Sequence, residues 1–134
     1  MIDTCKIPEY IASGTLAADN TGDAIDTTFY TEVIFQVLIA ATSTPAGDFI
    51  LQGSEDGTNW EDINIEANKV HGTIDGSDAA HTGGEEIAIA GSAASNFRVS
   101  LVDGIPSKVR TFWDSTSGGA ATGLNVKVTM RGEV

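Results

Sequence analysis

The stretch that decides the fold is LNVKVTMRGEV, residues 124–134. Apolar and polar side chains alternate along it without a break: Leu124, Val126, Val128 and Met130 against Asn125, Lys127, Thr129 and Arg131. A period of two is typical of a β-strand that buries one side and exposes the other. This segment therefore predicts a strand whose sheet has one face on the core.

Related runs recur along the chain: PEYIASGTLAA (8–18), TEVIFQVLIAA (31–41), DFILQG (48–53), INIEA (63–67), EEIAIA (85–90), NFRVSLVD (96–103) and KVRTFW (108–113). Turn-forming pairs such as Asp-Gly and Gly-Gly separate them, and no stretch has helical periodicity. Longer loops are predicted over 74–84 and 114–123. We predict an all-β chain of about eight strands, a single antiparallel β-sandwich or jelly-roll-like domain over 26–134, with 1–25 as an N-terminal arm or first strand.

The strand predicted over 31–41 has apolar side chains on both faces. One face carries Val33, Phe35, Val37 and Ile39, while Ile34 and Leu38 lie on the other with Gln36. Because a lone sandwich would turn that second face to water, either the N-terminal arm or a neighbouring subunit covers it. We predict an interface here, formed by Ile34 and Leu38 and joined by Tyr10 and Ile11 of the arm.

Net charge excludes some partners and suggests others. The chain of 134 residues has seven basic and nineteen acidic residues, a net charge of −12. Such a chain repels nucleic acid and anionic membranes. Residues 1–90 have a balance of −14 and residues 91–134 a balance of +2. This asymmetry reflects either solvated faces or complementary patches that meet between copies in an assembly.

No pattern of catalytic residues is present. His71 and His81 lack a third ligand at zinc spacing, Cys5 is the one cysteine, and no nucleophile elbow or phosphate loop occurs. The N-terminal residues do not form a signal peptide, and no run is long enough for a membrane span. We therefore predict a non-enzyme without cofactor or metal, made in a cytoplasm.

The segment LQGSEDGTNWEDI (51–63) predicts a hairpin with its reversal at Asp56-Gly57. Trp60 has the wrong parity for the core if Ile63 and Ile65 face inward. Either a bulge near Glu61-Asp62 turns the indole inward, or it lies at a rim or interface, and we add Trp60 to the predicted interface. Acidic side chains cluster at this tip, but they lack the twelve-residue spacing of an EF-hand calcium loop.

Three pieces of the chain resemble small β-sandwich proteins of tailed-phage virions: Phe49 to Trp60, Asn96 to Leu101 and Thr122 to Met130. The resemblance implies a capsid decoration (cement) protein, or a head or tail accessory. Such a protein assembles as a homo-oligomer, for example a trimer, on a capsid or other virion protein. The hairpin and the closing MRGEV strand also resemble discoidin-type galactose-binding-like domains, which implies glycan binding as the alternative. This chain lacks the flanking cysteines of that family.

Overall fold

The computed structural model describes residues 3–14, 16, 18–40, 47–91, 93–116 and 123–133, with the backbone alone for 3–14 and 133. Twelve strands and one 3-10 turn (Ala67–Lys69) lie within these ranges, and eight of the strands have four residues or more. The strands are Asp3–Gly14 (β1), Asn20–Thr21 (β2), Ile25–Asp26 (β3), Glu32–Ile39 (β4), Gly47–Ser54 (β5), Glu61–Asp62 (β6), Val70–Ile74 (β7), Ser77–Asp78 (β8), Glu86–Ile89 (β9), Ser95–Leu101 (β10), Lys108–Ser115 (β11) and Leu124–Glu133 (β12).

These strands form two antiparallel sheets. The first sheet has the order β1-β12-β4-β10-β7-β8. The second has the order β2-β11-β5-β6, with β3 also paired to β11 and β9 to β5. The predicted antiparallel β-sandwich is confirmed.

The core lies between the two sheets and follows the predicted alternation. In β4, Val33, Phe35 and Val37 are fully buried. Phe49 of the second sheet meets Phe97 of the first edge-to-face, with 5.7 Å between ring centroids. Aromatic pairs of this geometry add stabilisation beyond the area that they bury, so this contact helps to hold the sheets together.

The N-terminal segment lies in the plane of the first sheet. β1 pairs with β12 from Asp3 opposite Glu133 to Gly14 opposite Leu124, with two register shifts on the way. An edge strand of this kind runs beside the sheet rather than across it. The backbone of residues 3–14 is therefore separated from β4 by β12.

Two local predictions were wrong. The strand predicted over 63–67 does not form, and Ile65 makes only an isolated bridge to Gly84. β9 pairs with Gly47 to Ile50, on the same edge of β5 as β6, so no free edge remains for residues 63–67.

The loop predicted over 74–84 instead contains β8, which pairs back onto β7. The turn between them has positive φ at both Asp75 and Gly76, as in the tight type I′ hairpin. Residues 117–122 of the other predicted loop lie outside the described residues.

Candidate functional site

The outward side of the first sheet is rich in cations for so acidic a chain. We call it the basic face and define it by outward residues of β4, β10 and β12: Ile34, Gln36, Leu38, Arg98 and Lys127. Gln36 is the register partner of both Arg98 and Lys127, so the two cations flank it in one row across three strands. Arg131 lies nearer one end, where its guanidinium is 3.5 Å from the Glu32 carboxylate.

Ile34 and Leu38 lie on this face, one step either side of the cationic row. Leu38 is 38% exposed, and Ile34 is half-buried. Leu38 lies between Asn96 and Asn125 on the adjacent strands and borders a shallow depression of about 440 Å³. The sequence predicted which side chains of β4 share the core side and which share the other side, and the structure has the same assignment.

The two arm residues of the predicted interface lie in β1, for which the backbone is described. Tyr10 is the register partner of Lys127, at the end of the cationic row. Ile11 falls at a register shift, between Tyr10 and Ala12. Both backbone positions are therefore at the edge of the sheet that carries the basic face.

The hairpin tip is a self-contained turn. One carboxylate oxygen of Asp56 accepts hydrogen bonds from the backbone N–H groups of Thr58 and Asn59, both at 2.8 Å, and the other accepts from the Asn59 amide at 2.7 Å. The Ser54 hydroxyl also donates to Asp56 and accepts from the Gly57 N–H. These bonds, those from the Asn59 and Thr58 backbone above all, hold the pKa of Asp56 well below its ordinary value. The carboxylate is thus engaged in shaping its own loop.

Trp60 lies on the outward side of the second sheet. The Arg110 guanidinium stacks over its ring at 4.1 Å from the centroid, and the Arg110 Nε donates to the Gln52 amide oxygen at 2.8 Å. The Gln52 amide in turn donates to Asp62 at 3.0 Å. This cation–π contact anchors the indole at the rim of the sandwich rather than in its core.

Acidic side chains dominate the rest of that outward side. We call it the acidic face and define it by outward residues of β5, β9 and β11: Asp48, Ile50, Glu86, Phe112 and Asp114. Asp48 and Asp114 are direct register partners, as are Ile50 and Phe112 one step away. Ile50 is almost fully buried and Phe112 is half-buried, so an apolar row lies beside an acidic one.

Phe29 is a surface residue that the sequence analysis missed. Its side chain is 84% exposed, although the turn that carries it is well anchored. Asp26 caps this turn by accepting from the Thr28 N–H and hydroxyl, and the Thr27 hydroxyl donates to the Pro106 carbonyl. A single aromatic residue in a polar turn belongs to no repeating hydrophobic pattern, so the sequence did not indicate that Phe29 would be exposed.

His71 lies beside the basic face, whereas His81 lies apart from both faces. His81 shares a 2.9 Å hydrogen bond between its Nε2 and the Ile65 carbonyl, and His71 is an exposed register partner of Arg98. Among the described residues, no three His, Cys, Asp or Glu side chains gather as metal ligands. No helix in the same residues has the length and hydropathy of a membrane span.

Comparison with known proteins identifies a shared fold. No protein-family model matches the sequence, and no curated protein matches it either. Among solved structures, the chain is similar to the SPBc2 prophage-derived protein YomS, with a TM-score of 0.60 and 11% sequence identity. The similarity covers 98% of this chain and 96% of that one. The chain therefore has, over nearly its whole length, the fold of a prophage-derived protein.

Proposed function

We propose that the protein is a non-enzymatic structural component of a phage virion and acts by protein–protein assembly. The observation that carries the proposal is the uncovered apolar content of the basic face. Leu38 is 38% exposed there, while the N-terminal strand, the intramolecular alternative for covering it, lies beside the sheet. Of the two covers that the sequence allowed, this backbone position favours a neighbouring subunit.

The scaffold suits such a role because the backbone that carries its exposed apolar groups is anchored by hydrogen bonds. Leu38 lies on a central strand that is hydrogen-bonded on both sides, and Phe29 lies on a turn fixed by side-chain caps. A backbone that is already ordered loses little conformational entropy on binding. The fold shared with a prophage-derived protein supports a phage origin for this assembly role.

Within this role, we assign the chain to capsid decoration, or to a head or tail accessory position. Its partners are then its own copies and a capsid or other virion protein. The virion resemblance of Phe49 to Trp60 supports this finer assignment, because that segment forms the hairpin and the rim tryptophan of the second sheet.

The test is binding to particles of the encoding phage that lack this protein. The purified chain should co-sediment with them, and Leu38→Asp and Phe29→Ala should each weaken binding at least tenfold. Asn68→Asp is the matched control, because it adds the same charge at an exposed position on the 3-10 turn. Absence of the intact chain from the particle pellet would refute the proposal.

Carbohydrate binding is the alternative function, and the geometry at Trp60 counts against it. Sugar rings stack on exposed aromatic faces, but Arg110 already covers one face of this indole. Glycan-array binding by a chain that does not bind particles would favour this alternative.

A further inference from the structure

The dipeptide Asp-Gly occurs three times in the chain, at Asp56-Gly57, Asp75-Gly76 and Asp103-Gly104. This dipeptide permits a spontaneous rearrangement, because glycine has no side chain to shield its backbone nitrogen. That nitrogen can attack the aspartate Cγ, and a five-membered succinimide ring then forms with loss of one water. The glycine has positive φ in all three places, so the backbone alone does not distinguish them. They differ in what holds the reacting groups.

The step at Asp56 is held by hydrogen bonds to both reacting groups. The carboxylate accepts from the backbone N–H groups of Thr58 and Asn59, and the Gly57 N–H donates to the Ser54 hydroxyl at 2.9 Å. The bonds to the carboxylate also lower the pKa of Asp56, so the protonated acid, which is the form that loses water, is rarer than for an ordinary aspartate. Asp56 is therefore protected although it is exposed.

The step at Asp75 is held by a different part of the chain. One carboxylate oxygen of Asp75 accepts from the Ala90 N–H at 2.8 Å, and the other accepts from the Gly91 N–H at 2.6 Å. The backbone N–H of Asp75 donates to the Ser95 hydroxyl at 2.9 Å. The side chain must leave both acceptor positions before its Cγ can reach the Gly76 nitrogen. This step is protected as well.

The step at Asp103 has no comparable restraint. Asp103 and Gly104 are both exposed in the loop 102–107, which connects β10 to β11. The far end of this loop is anchored, because the Ser107 N–H and hydroxyl donate to the Glu55 carboxylate. No hydrogen bond or ion pair among the described residues engages the Asp103 carboxylate. A Cβ added to Gly104 would have no atom within 4 Å, so this side of the backbone is open.

We propose that Asp103 is a site of spontaneous isoaspartate formation in the folded protein, and that the fold protects Asp56 and Asp75. The Gly104 nitrogen loses its proton and bonds to the Asp103 Cγ, while the carboxyl oxygen leaves with two protons as water. Water then opens the succinimide. Attack at the α-carbonyl breaks its bond to nitrogen and leaves isoaspartate, whereas attack at Cγ restores aspartate. The reaction needs no reactant other than water, and it is independent of the proposed function.

The product alters the connection between the two sheets. β10 belongs to the first sheet and β11 to the second, and the loop 102–107 joins them. In isoaspartate the backbone runs through the former side chain, so this loop becomes longer by one methylene. The carboxylate is then attached directly to Cα. The chain thus acquires a second covalent form of this loop as it ages.

Incubation of the purified, folded chain at neutral pH tests the proposal. Trypsin releases residues 99–108 as a peptide in which Asp103 is the sole acidic residue. Labelling of the digest with an isoaspartyl methyltransferase, followed by mass spectrometry, quantifies isoaspartate in each peptide. We expect at least tenfold more at Asp103 than at Asp56 or Asp75, because hydrogen bonds at those two residues must break before the attack. In a chain kept unfolded by denaturant, the three steps should react at comparable rates.

A variant and three outcomes complete the test. Asp103→Glu retains the charge but would require a six-membered ring, so its peptide should lose the label. Equal labelling of the three steps in the folded chain would overturn the inference. Absence of label at Asp103 in the folded chain, over a period that labels it in the unfolded chain, would overturn it too. The same preference for Asp103 in the unfolded chain would also overturn it, because the fold would then not select the site.

Discussion

Two adjacent residues of β4 test the assignment of its faces. Val37 is fully buried on the core side, whereas Leu38 is 38% exposed on the basic face. Val37→Ala removes two methyl groups worth about 0.8 kcal/mol each and leaves a cavity, so the loss should be about 2–3 kcal/mol. Leu38→Ala removes more carbon but leaves no enclosed cavity. Partial exposure limits its cost to about 1 kcal/mol.

Thermal unfolding converts these energies into measurable shifts. A domain of 134 residues has an unfolding entropy of about 0.28 kcal/mol/K, so Val37→Ala should lower Tm by about 7–10 °C and Leu38→Ala by about 4 °C or less. The melts should be recorded at high dilution, because association would add to the apparent stability. Equal losses from the two variants would refute the parity assignment and, with it, the basic face.

Three further predictions concern the hairpin, a strained glycine and metal dependence. Because the pKa of Asp56 is lowered in the folded state, its contribution to stability is present above the unfolded value and is lost as pH falls through the folded one. Melts from pH 6 to pH 2 should therefore show a shallower acid loss for Asp56→Asn than for the wild type, and parallel curves would contradict this. Gly72→Ala should cost about 3 kcal/mol or more in denaturant unfolding, since Gly72 has φ of +123° and its added Cβ would lie 2.5 Å from the Asn96 carbonyl oxygen. Gly104→Ala, at positive φ but in open space, should cost only about 1 kcal/mol, and equal costs would exclude the steric explanation. Tm should be the same with EDTA and with added calcium, whereas a shift of many degrees would reveal a structural ion.

Alternation predicted the strands that pack one full face on the core. In β4, β10 and β12 the sequence assigned Phe35, Phe97 and Val126 inward, and all three are buried. The local sequence pattern could not predict which strand edges in a sheet are already paired with another strand. Residues 63–67 alternate well and bury Ile65, but β9 takes the edge of β5 that they would need.

The sequence did not predict β7, because its local pattern is too short and interrupted to indicate a strand. Gly72 interrupts its short pattern with a positive φ, and its strand character comes from long-range pairing with β10. The stack of Arg110 on Trp60 likewise depends on register between residues that are distant in the chain. The two charged faces arise in the same way, because their residues come from several separate strands.

The mass of the intact chain in solution tests the central claim, that the protein assembles with its own copies, most directly. We predict a light-scattering mass that is a multiple of 13.9 kDa. A mass of 13.9 kDa across the accessible protein concentrations would contradict self-assembly.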